Sequence, residues 1–397
     1  MNTPVYIVNA IRTPVGKYRG AFRYVRPDDL LRVTLTALLK QTPSFDPALI
    51  DDIIIGCAMP EAEQGMNVAR IAALLANIPN TVPAITINRF CSSGLQAIAF
   101  AADRIRTGTA DCLIAGGVES MSMVSLGGNK LSANPHYFDN PEYQAIALNM
   151  GLTAENVAQA WAITRSAQDE FAFESHCRAL HAIEQHWFKE EICPLTINLH
   201  LPDLITGDIN QVNRRIHQDE GPRSNSTLEA LATLPTVFKK NGTVTAGNAS
   251  QMSDGASALL IVSEKFLTEH RLEPLARFVS FDIVGVPPEI MGIGPKIAIP
   301  SALKKAGLNL NDIAWIELNE AFAAQSLAVI QDLALDPMRV NPSGGAIALG
   351  HPLGATGAIK TTTLLHGLKR TQQRYGITTM CVGTGMGAAA IFENCHC

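Results

Sequence analysis

Ile85-Thr-Ile-Asn-Arg-Phe-Cys91-Ser-Ser-Gly-Leu-Gln-Ala-Ile-Ala99 is the stretch whose reading decides the fold. Its first part reads as a short buried strand. Its second part reads as a helix with Leu95, Ile98 and Ala102 on one face. Cys91 therefore stands at a strand-to-helix turn, close to the helix N-terminus, where unpaired backbone N–H groups and the helix dipole favour an anion. A thiol at such a place can be held as thiolate, the nucleophilic form. A cysteine among apolar neighbours is more often an inert core residue. Two segments near the C-terminus turn the reading toward chemistry.

The first is Asn341-Pro-Ser-Gly-Gly-Ala-Ile-Ala-Leu-Gly350-His351-Pro352-Leu353-Gly354-Ala355-Thr356-Gly357. Pro352 is expected at the first position of a helix, where its fixed φ is already helical. The flanking glycines are expected to allow sharp turns and close approach by a ligand. The bland alternative for His351 is a helix-capping histidine. The second segment is Met380-Cys381-Val382-Gly383-Thr384-Gly385-Met386-Gly387, after a strand-like Ile377-Thr-Thr. It imitates a nucleotide-binding glycine fingerprint. That reading fails, since only about ten residues follow, too few for the helix and second strand of a dinucleotide unit.

Outward from these segments, strand and helix signals alternate: strands at 5–8, 53–55, 84–87 and 112–116, helices at 30–39, 68–75 and after Cys91. The same rhythm returns after residue 257, with strands at 257–262, 275–284, 314–318, 377–382 and 388–393 and helices at 297–306, 322–333 and 359–368. The order predicts α/β architecture with a mostly parallel sheet. A cysteine following a strand in each block, Cys91 and Cys381, suggests an internal duplication. Sites in open α/β sheets form beyond the carboxyl ends of the strands, so the two cysteines are expected to share one. Residues from about 118 to 248 break the rhythm, with a helical stretch from Thr153 to about Trp187. An insertion this long is expected to be functional.

The 397 residues are 47% hydrophobic and 17% charged, with net charge −5, which fits a large globular chain of two or three core units and argues against nucleic-acid binding. No apolar run approaches the roughly 20 residues of a membrane span. With no basic leader before the first strand, a cytoplasmic location is expected. The 8 cysteines are scattered without metal-ligand spacing, so they are read as reduced and no metal is expected. Cys395-His-Cys397 is crowded into a tail and makes a poor ligand set.

The chain resembles the thiolases over essentially its whole length. The residues that carry the resemblance are Arg89-Phe90-Cys91-Ser92-Ser93-Gly94, Gly116-Gly117-Val118-Glu119-Ser120-Met121, the run Gly242 to Ser250, Gly292-Ile293-Gly294-Pro295, Asn319-Glu320-Ala321-Phe322, Gly350-His351-Pro352 with Gly354 and Gly357, and Cys381 to Gly387. The resemblance implies two similar βαβαβαββ halves in a five-layer αβαβα arrangement, plus an inserted loop domain. Residues 1–118, completed by about 249–270, would form the N-terminal half. Residues 119–248 would bind coenzyme A, and 271–397 would form the second half.

The same resemblance implies thiolysis of 3-ketoacyl-CoA by CoA through an acyl-enzyme on Cys91. His351 would take the Cys91 proton and Cys381 would move the proton at the α-carbon. Asn319 would hold a water beside the enolate oxygen, and the backbone N–H groups of Cys91 and Gly383 would face the tetrahedral oxyanion. Asn319 has a second reading as a helix cap before Glu320. The CoA contacts carried over are Arg223, Ser250, Met150, Leu234, Phe238, Ala246, Met291, Ala321 and Phe322. Arg214-Arg215 reads as a solvated loop or a phosphate contact. No cofactor is implied, since CoA is itself a substrate. A homodimer or homotetramer is implied, and a β-oxidation multienzyme partner is compatible.

One departure concerns specificity. Short-chain biosynthetic thiolases carry His-Met-Gly where this chain has Asn149-Met150-Gly151. With Gly127-Gly-Asn-Lys-Leu131 and the Gly383–Gly387 ending, this favours a degradative enzyme. The alternatives are an acetyl-CoA acetyltransferase condensing two acetyl-CoA, a decarboxylating ketoacyl synthase, and a non-catalytic thiolase-like subunit or lipid carrier. The synthase would lack Cys381. The non-catalytic subunit would lack one of Cys91, Asn319, His351 and Cys381, and all four are present.

Overall fold

The computed structural model describes residues 3–43, 45–130, 132–202 and 205–397. Leu131, the last residue of the Gly127 loop, lies outside them. The first half runs β1 (Val5–Arg12), α1 (Pro27–Lys40), β2 (Asp52–Gly56), α2 (Val68–Leu75), β3 (Ala84–Ile87), α3 (Ser93–Arg106) and β4 (Cys112–Ser120). An excursion follows, with α4 (Met150–Ala160), α5 (Arg165–Glu184) and the hairpin β5 (Leu195–Pro202) and β6 (Ile209–Ile216). The chain returns through β7 (Ser253–Ser263). The second half is β8 (Ala276–Gly285), α6 (Gly294–Ala306), β9 (Ile313–Leu318), α7 (Ala323–Leu333), α8 (Leu353–Thr371), β10 (Tyr375–Val382) and β11 (Met386–Asn394).

The strands are hydrogen-bonded in the order β9-β10-β11-β8-β1-β7-β4-β2-β3. Read outward from the β1/β8 seam, the two sides mirror one another. β1-β7-β4-β2-β3 answers β8-β11-β10-β9, and a parallel bridge Ile316–Val340 stands where a fifth strand would be. The duplication is thus real in topology, but the two cysteines are not its equivalent points. Cys91 follows β3, whereas Cys381 lies on β10, the counterpart of β4.

The sheet is mixed, not mostly parallel. Only β2/β3, β2/β4 and β9/β10 are parallel; the other neighbours along this path run antiparallel. The reason is connection length. Helical crossovers enforce parallel pairing early in each half, while β10 passes to β11 through a short turn that can only reverse the chain. That turn needs positive φ at Thr384 (65°) and Gly385 (88°).

Alternation along each strand builds the layers. Leu113 and Ala115 of β4 pack inward with α3, while Cys112, Ile114 and Val118 pack outward under α1 and α2. On the other side Ala388, Ala390 and Phe392 of β11 point inward to α8, and Ala389 and Ile391 point outward to α6. Three apolar clusters therefore hold five layers together: one encloses the central pair α3 and α8 between the two half-sheets, and one lies under the helices on each outer face. The central pair is tight. A methyl added at Gly357 would come within 2.5 Å of Leu95 N, and one at Gly94 within 2.8 Å of Ala358 N. Gly354 abuts Ala58 N and Cys57 Cα in the same way. These glycines serve close packing of the protein on itself, so the expectation that they admit a ligand is corrected.

The expected helical stretch of 153–187 is two helices. Ala162 turns left-handed (φ 53°), and Thr164 restarts the chain as N-cap of α5, its Oγ1 accepting from Ala167 N at 3.2 Å.

Candidate active site

The turn that carries Cys91 is a strained piece of backbone. Phe90, an aromatic residue, has φ 44° in the left-handed region. Its neighbours pin it. Asn88 Oδ1 accepts from Phe90 N (2.8 Å), Ser93 Oγ donates to Phe90 O (2.7 Å), and Arg89 N donates to Ser93 Oγ (2.8 Å). Asn88 Nδ2 ties the whole turn to Ala58 O at 3.0 Å. The result lifts Cys91, half-buried, to the end of β3 and in front of α3.

Backbone N–H groups of Gly383 and of Cys91 itself reach the Cys91 sulfur and favour its ionised form. They lose to burial, which together with the buried Glu119 carboxylate pushes the thiol up to about 11. The resting nucleophile is a thiol, because desolvation outweighs the helix N-terminus, and a base must take its proton. Cys381 is buried near the end of β10, opposite Gly387. Burial raises it further, and the neighbouring Cys91 sulfur adds to the rise. Two un-ionised thiols therefore face one site.

His351 follows Gly350, whose φ of 101° makes the sharp turn. Pro352 is the N-cap of α8 and not its first helical residue. The imidazole is 5% exposed, and burial, with the Lys360 charge second, lowers it to about 3. It is neutral. Asn319 Nδ2 lies 3.3 Å from Nε2, and Thr356 Oγ1 lies 2.6 Å from Nδ1. With the Asn319 amide so turned, Nε2 keeps its lone pair and Nδ1–H donates to Thr356. The His351 backbone N–H donates to Gln251 O and Ser253 Oγ, and Ser253 N meets Met121 Sδ at 3.4 Å. Met121 and Leu353 pack in one cluster with Cys91, which links the histidine turn to the nucleophile turn.

Asn319 is fully buried and does not cap the following helix, since Phe322 holds that position. The capping reading is corrected. Among the described residues its Oδ1 has no hydrogen-bond partner, which suits a group that must hold a water.

The expected CoA contacts divide. Met150, Phe238, Met291, Ala321 and Phe322 share one apolar cluster with Cys381, with Phe238 edge-on to Phe322 at 6.1 Å between centroids. Ser250 is half-buried beside them, its N–H on Ala321 O at 2.9 Å. Leu234 packs elsewhere, with Leu231, Ala172 and Ile347. Arg223 and Ala246 are exposed, the former's backbone N–H on His176 Nδ1 at 3.2 Å. Arg214 and Arg215 are exposed on β6. Asn149 caps α4, its Oδ1 accepting from Gly151 N at 2.9 Å.

Sequence reasoning missed the residues that hold these groups. Glu119 accepts from Ala58 N (2.7 Å), Met59 N (3.2 Å), Gly354 N (2.8 Å) and Gln64 Nε2, and so joins the two turns. Glu320 accepts from Ser175, Asn341 and Ile347 N. An acidic residue inside an otherwise apolar or glycine-rich run was the available signal. Among the described residues no group of three or more metal-ligating side chains converges, and no helix is long and apolar enough to cross a membrane.

Two family models match the chain: the thiolase N-terminal domain over residues 5–265 and the thiolase C-terminal domain over residues 272–394. The chain is 49% identical over 393 residues to the 3-ketoacyl-CoA thiolase of Bacillus subtilis (strain 168), covering 98% of this chain and 99% of that one. Among solved structures it is similar to human mitochondrial 3-ketoacyl-CoA thiolase (TM-score 0.89, 38% identity) and to Bacillus anthracis acetyl-CoA acetyltransferase (TM-score 0.88, 40% identity), each with 99% of both chains covered.

Proposed function

The chain belongs to the thiolase family, and on that premise we propose how its own residues perform the reaction. The chain is an acyltransferase that cleaves 3-ketoacyl-CoA with CoA. The observation that carries the residue assignment is the meeting of two un-ionised thiols with paired backbone donors at Cys91 and a neutral histidine bonded to Asn319.

His351 Nε2 takes the Cys91 proton as the sulfur attacks the 3-keto carbon. The oxygen that becomes anionic faces the N–H groups of Cys91 and Gly383. The bond between C2 and C3 breaks, leaving an acyl thioester on Cys91, and its electron pair passes to C2 as the enolate of acetyl-CoA. The imidazolium of His351 and a water on Asn319 oppose that enolate oxygen. Cys381 gives its proton to C2, and acetyl-CoA leaves. The Cys381 thiolate then takes the proton of incoming CoA. The CoA sulfur attacks the acyl group, and Cys91 departs and recovers its proton from His351. Protons and electron pairs balance among the two substrates and the chain's own groups, so CoA enters as substrate and no redox cofactor has a role.

The excursion 119–248 and the cluster around Met150, Phe238, Met291, Ala321, Phe322 and Ser250 form the pantetheine wall in this reading, with Arg223 at its outer end beside the adenine. We assign the degradative direction. With Asn149 committed to capping α4, no histidine side chain stands in that triplet to narrow the acyl path. Likeness to an acetyl-CoA acetyltransferase structure supports a second reading, the condensation of two acetyl-CoA. CoA-dependent cleavage across chain lengths separates them: turnover that persists on long chains supports degradation, and turnover confined to acetoacetyl-CoA establishes the second reading.

We also assign a homo-oligomer and a reducing, cytoplasmic setting. β3 forms one edge of the sheet path with Ile85 48% exposed, and Leu74 and Leu75 of the adjacent α2 are 46% and 48% exposed. All 8 cysteines are free thiols.

A further inference from the structure

On the Nδ1 side of His351 a polar line runs down α8. Thr356 Oγ1 holds Nδ1 at 2.6 Å. Lys360 stands four residues on, over the same helix face. Its ammonium lies 2.9 Å from Glu317 Oε2, and Glu317 Oε1 accepts from Trp315 Nε1 at 2.8 Å. The pair is sealed from solvent, with side-chain exposures of 7% and 1%. Thr356, Lys360 and Glu317 line one small cavity of about 20 Å³. A water needs roughly 10–15 Å³ on that measure, so one fits.

A buried ion pair is an expensive way to stabilise a fold, because both charges leave water. Its placement against a histidine asks for another account. Lys360 has three N–H donors, and among the described residues its ammonium makes one hydrogen bond, to Glu317. The remaining donors suit a water shared with Thr356.

Resting on the reading of His351 as the base, we propose that Lys360 is a positioning residue of the reaction: held by Glu317 and joined to His351 through Thr356 and a water-sized cavity, its ammonium adds to burial in opposing a charged imidazole, so that His351 carries the Cys91 proton only while negative charge develops opposite it. The other titratable groups on the elements around His351 are Glu317 and Glu320 on and after β9, Glu119 and Asp254 on β4 and β7, and the thiols of Cys91 and Cys381. Lys360 is the cation among them. Arg12 also lines the cavity but is bonded to Glu191 and Asp219. Burial and the Lys360 charge both act on His351 in the direction the proposal needs.

The test uses the full-length enzyme with Lys360→Met and Glu317→Gln together, so that no lone charge is stranded. Neutral His351 is then easier to protonate, and the acid side of the kcat/KM profile moves to higher pH. The double variant is expected to move the acid limb by about one pH unit, a loss against wild type that grows toward tenfold below about pH 4, and to agree within about threefold at pH 8, since one pH unit is a factor of ten in protonation. Thr356→Val is expected to lower kcat by about tenfold with KM little changed, part of what a positioned general base contributes, and Thr356→Ser to restore it. A folded double variant whose pH profile superimposes on wild type overturns the proposal. If the double variant does not fold, wild-type kcat in Thr356→Val overturns it instead. His351→Ala run beside them separates the two ideas: full activity there would remove the base assignment itself, whatever Lys360 does.

Discussion

Cys91 is a nucleophile that rests protonated. Burial holds its thiol near 11 while His351, lowered to about 3, stays neutral across the physiological range. The sign follows directly. If both groups rest uncharged, alkylation of Cys91 by iodoacetamide in the free enzyme rises with pH through the neutral range, about tenfold per unit from pH 7 to 9. A preformed thiolate–imidazolium pair would instead give a flat profile there, and a plateau from pH 6 upward would refute the neutral pair. The second thiol has a separate task. Cys381→Ser is expected to suppress hydrogen–deuterium exchange at the α-carbon of acetyl-CoA by at least about tenfold more than it slows acylation of Cys91, because only the first step uses that proton carrier. Equal losses in mass spectrometry of the two processes would count against divided roles. Cys91→Ala should lose the acyl adduct altogether and keep CoA binding.

The turns, more than the helices and strands they join, position the chemistry. The Asn88–Ser93 segment holds Phe90 in a left-handed conformation that by itself costs about 1–3 kcal/mol, and four hydrogen bonds from Asn88 and Ser93 hold it there. Glu119 then ties Ala58 and Met59 to Gly354 at the start of α8, so the nucleophile turn and the histidine turn are fixed to one carboxylate. This economy depends on α3 and α8 lying almost in backbone contact. Gly357→Ala puts a methyl 2.5 Å from Leu95 N, where backbone must move. A destabilisation of about 1–3 kcal/mol is expected despite the gain in helix propensity. Gly285→Ala, whose methyl would meet nothing within 4 Å, should be near neutral in the same thermal melt. Equal shifts for the two variants would mean that the helix contact is softer than the geometry implies.

At the scale of the molecule, two mirrored half-sheets bring unlike strand ends to one site. If the β3 edge pairs with a second copy, Ile85→Lys should shift the enzyme to a smaller species by light scattering at micromolar concentration, since a charged side chain on an exposed sheet edge disfavours pairing. An unchanged mass would place the interface elsewhere. Most element positions were legible before the fold: α2 and β3 fall on the residues their periodicity marks, and Cys91 sits at the strand-to-helix turn that its neighbours predict. These are local signals, set by side-chain alternation and by Pro and Gly. Local signals also misled. A cysteine before a helix can be held as thiolate, yet burial decides its proton, and Gly354 and Gly357 read as ligand clearance when they are spaces for another helix. Pairing direction, the partners of Glu119 and Glu320, and the Lys360–Glu317 pair behind His351 join residues from about 20 to 235 positions apart. By itself the sequence determined which residues can do the chemistry, because that depends on residue type and on the turn each occupies. Only the tertiary structure decided their charge states and mutual supports, because desolvation and long-range hydrogen bonds exist only once the layers have closed.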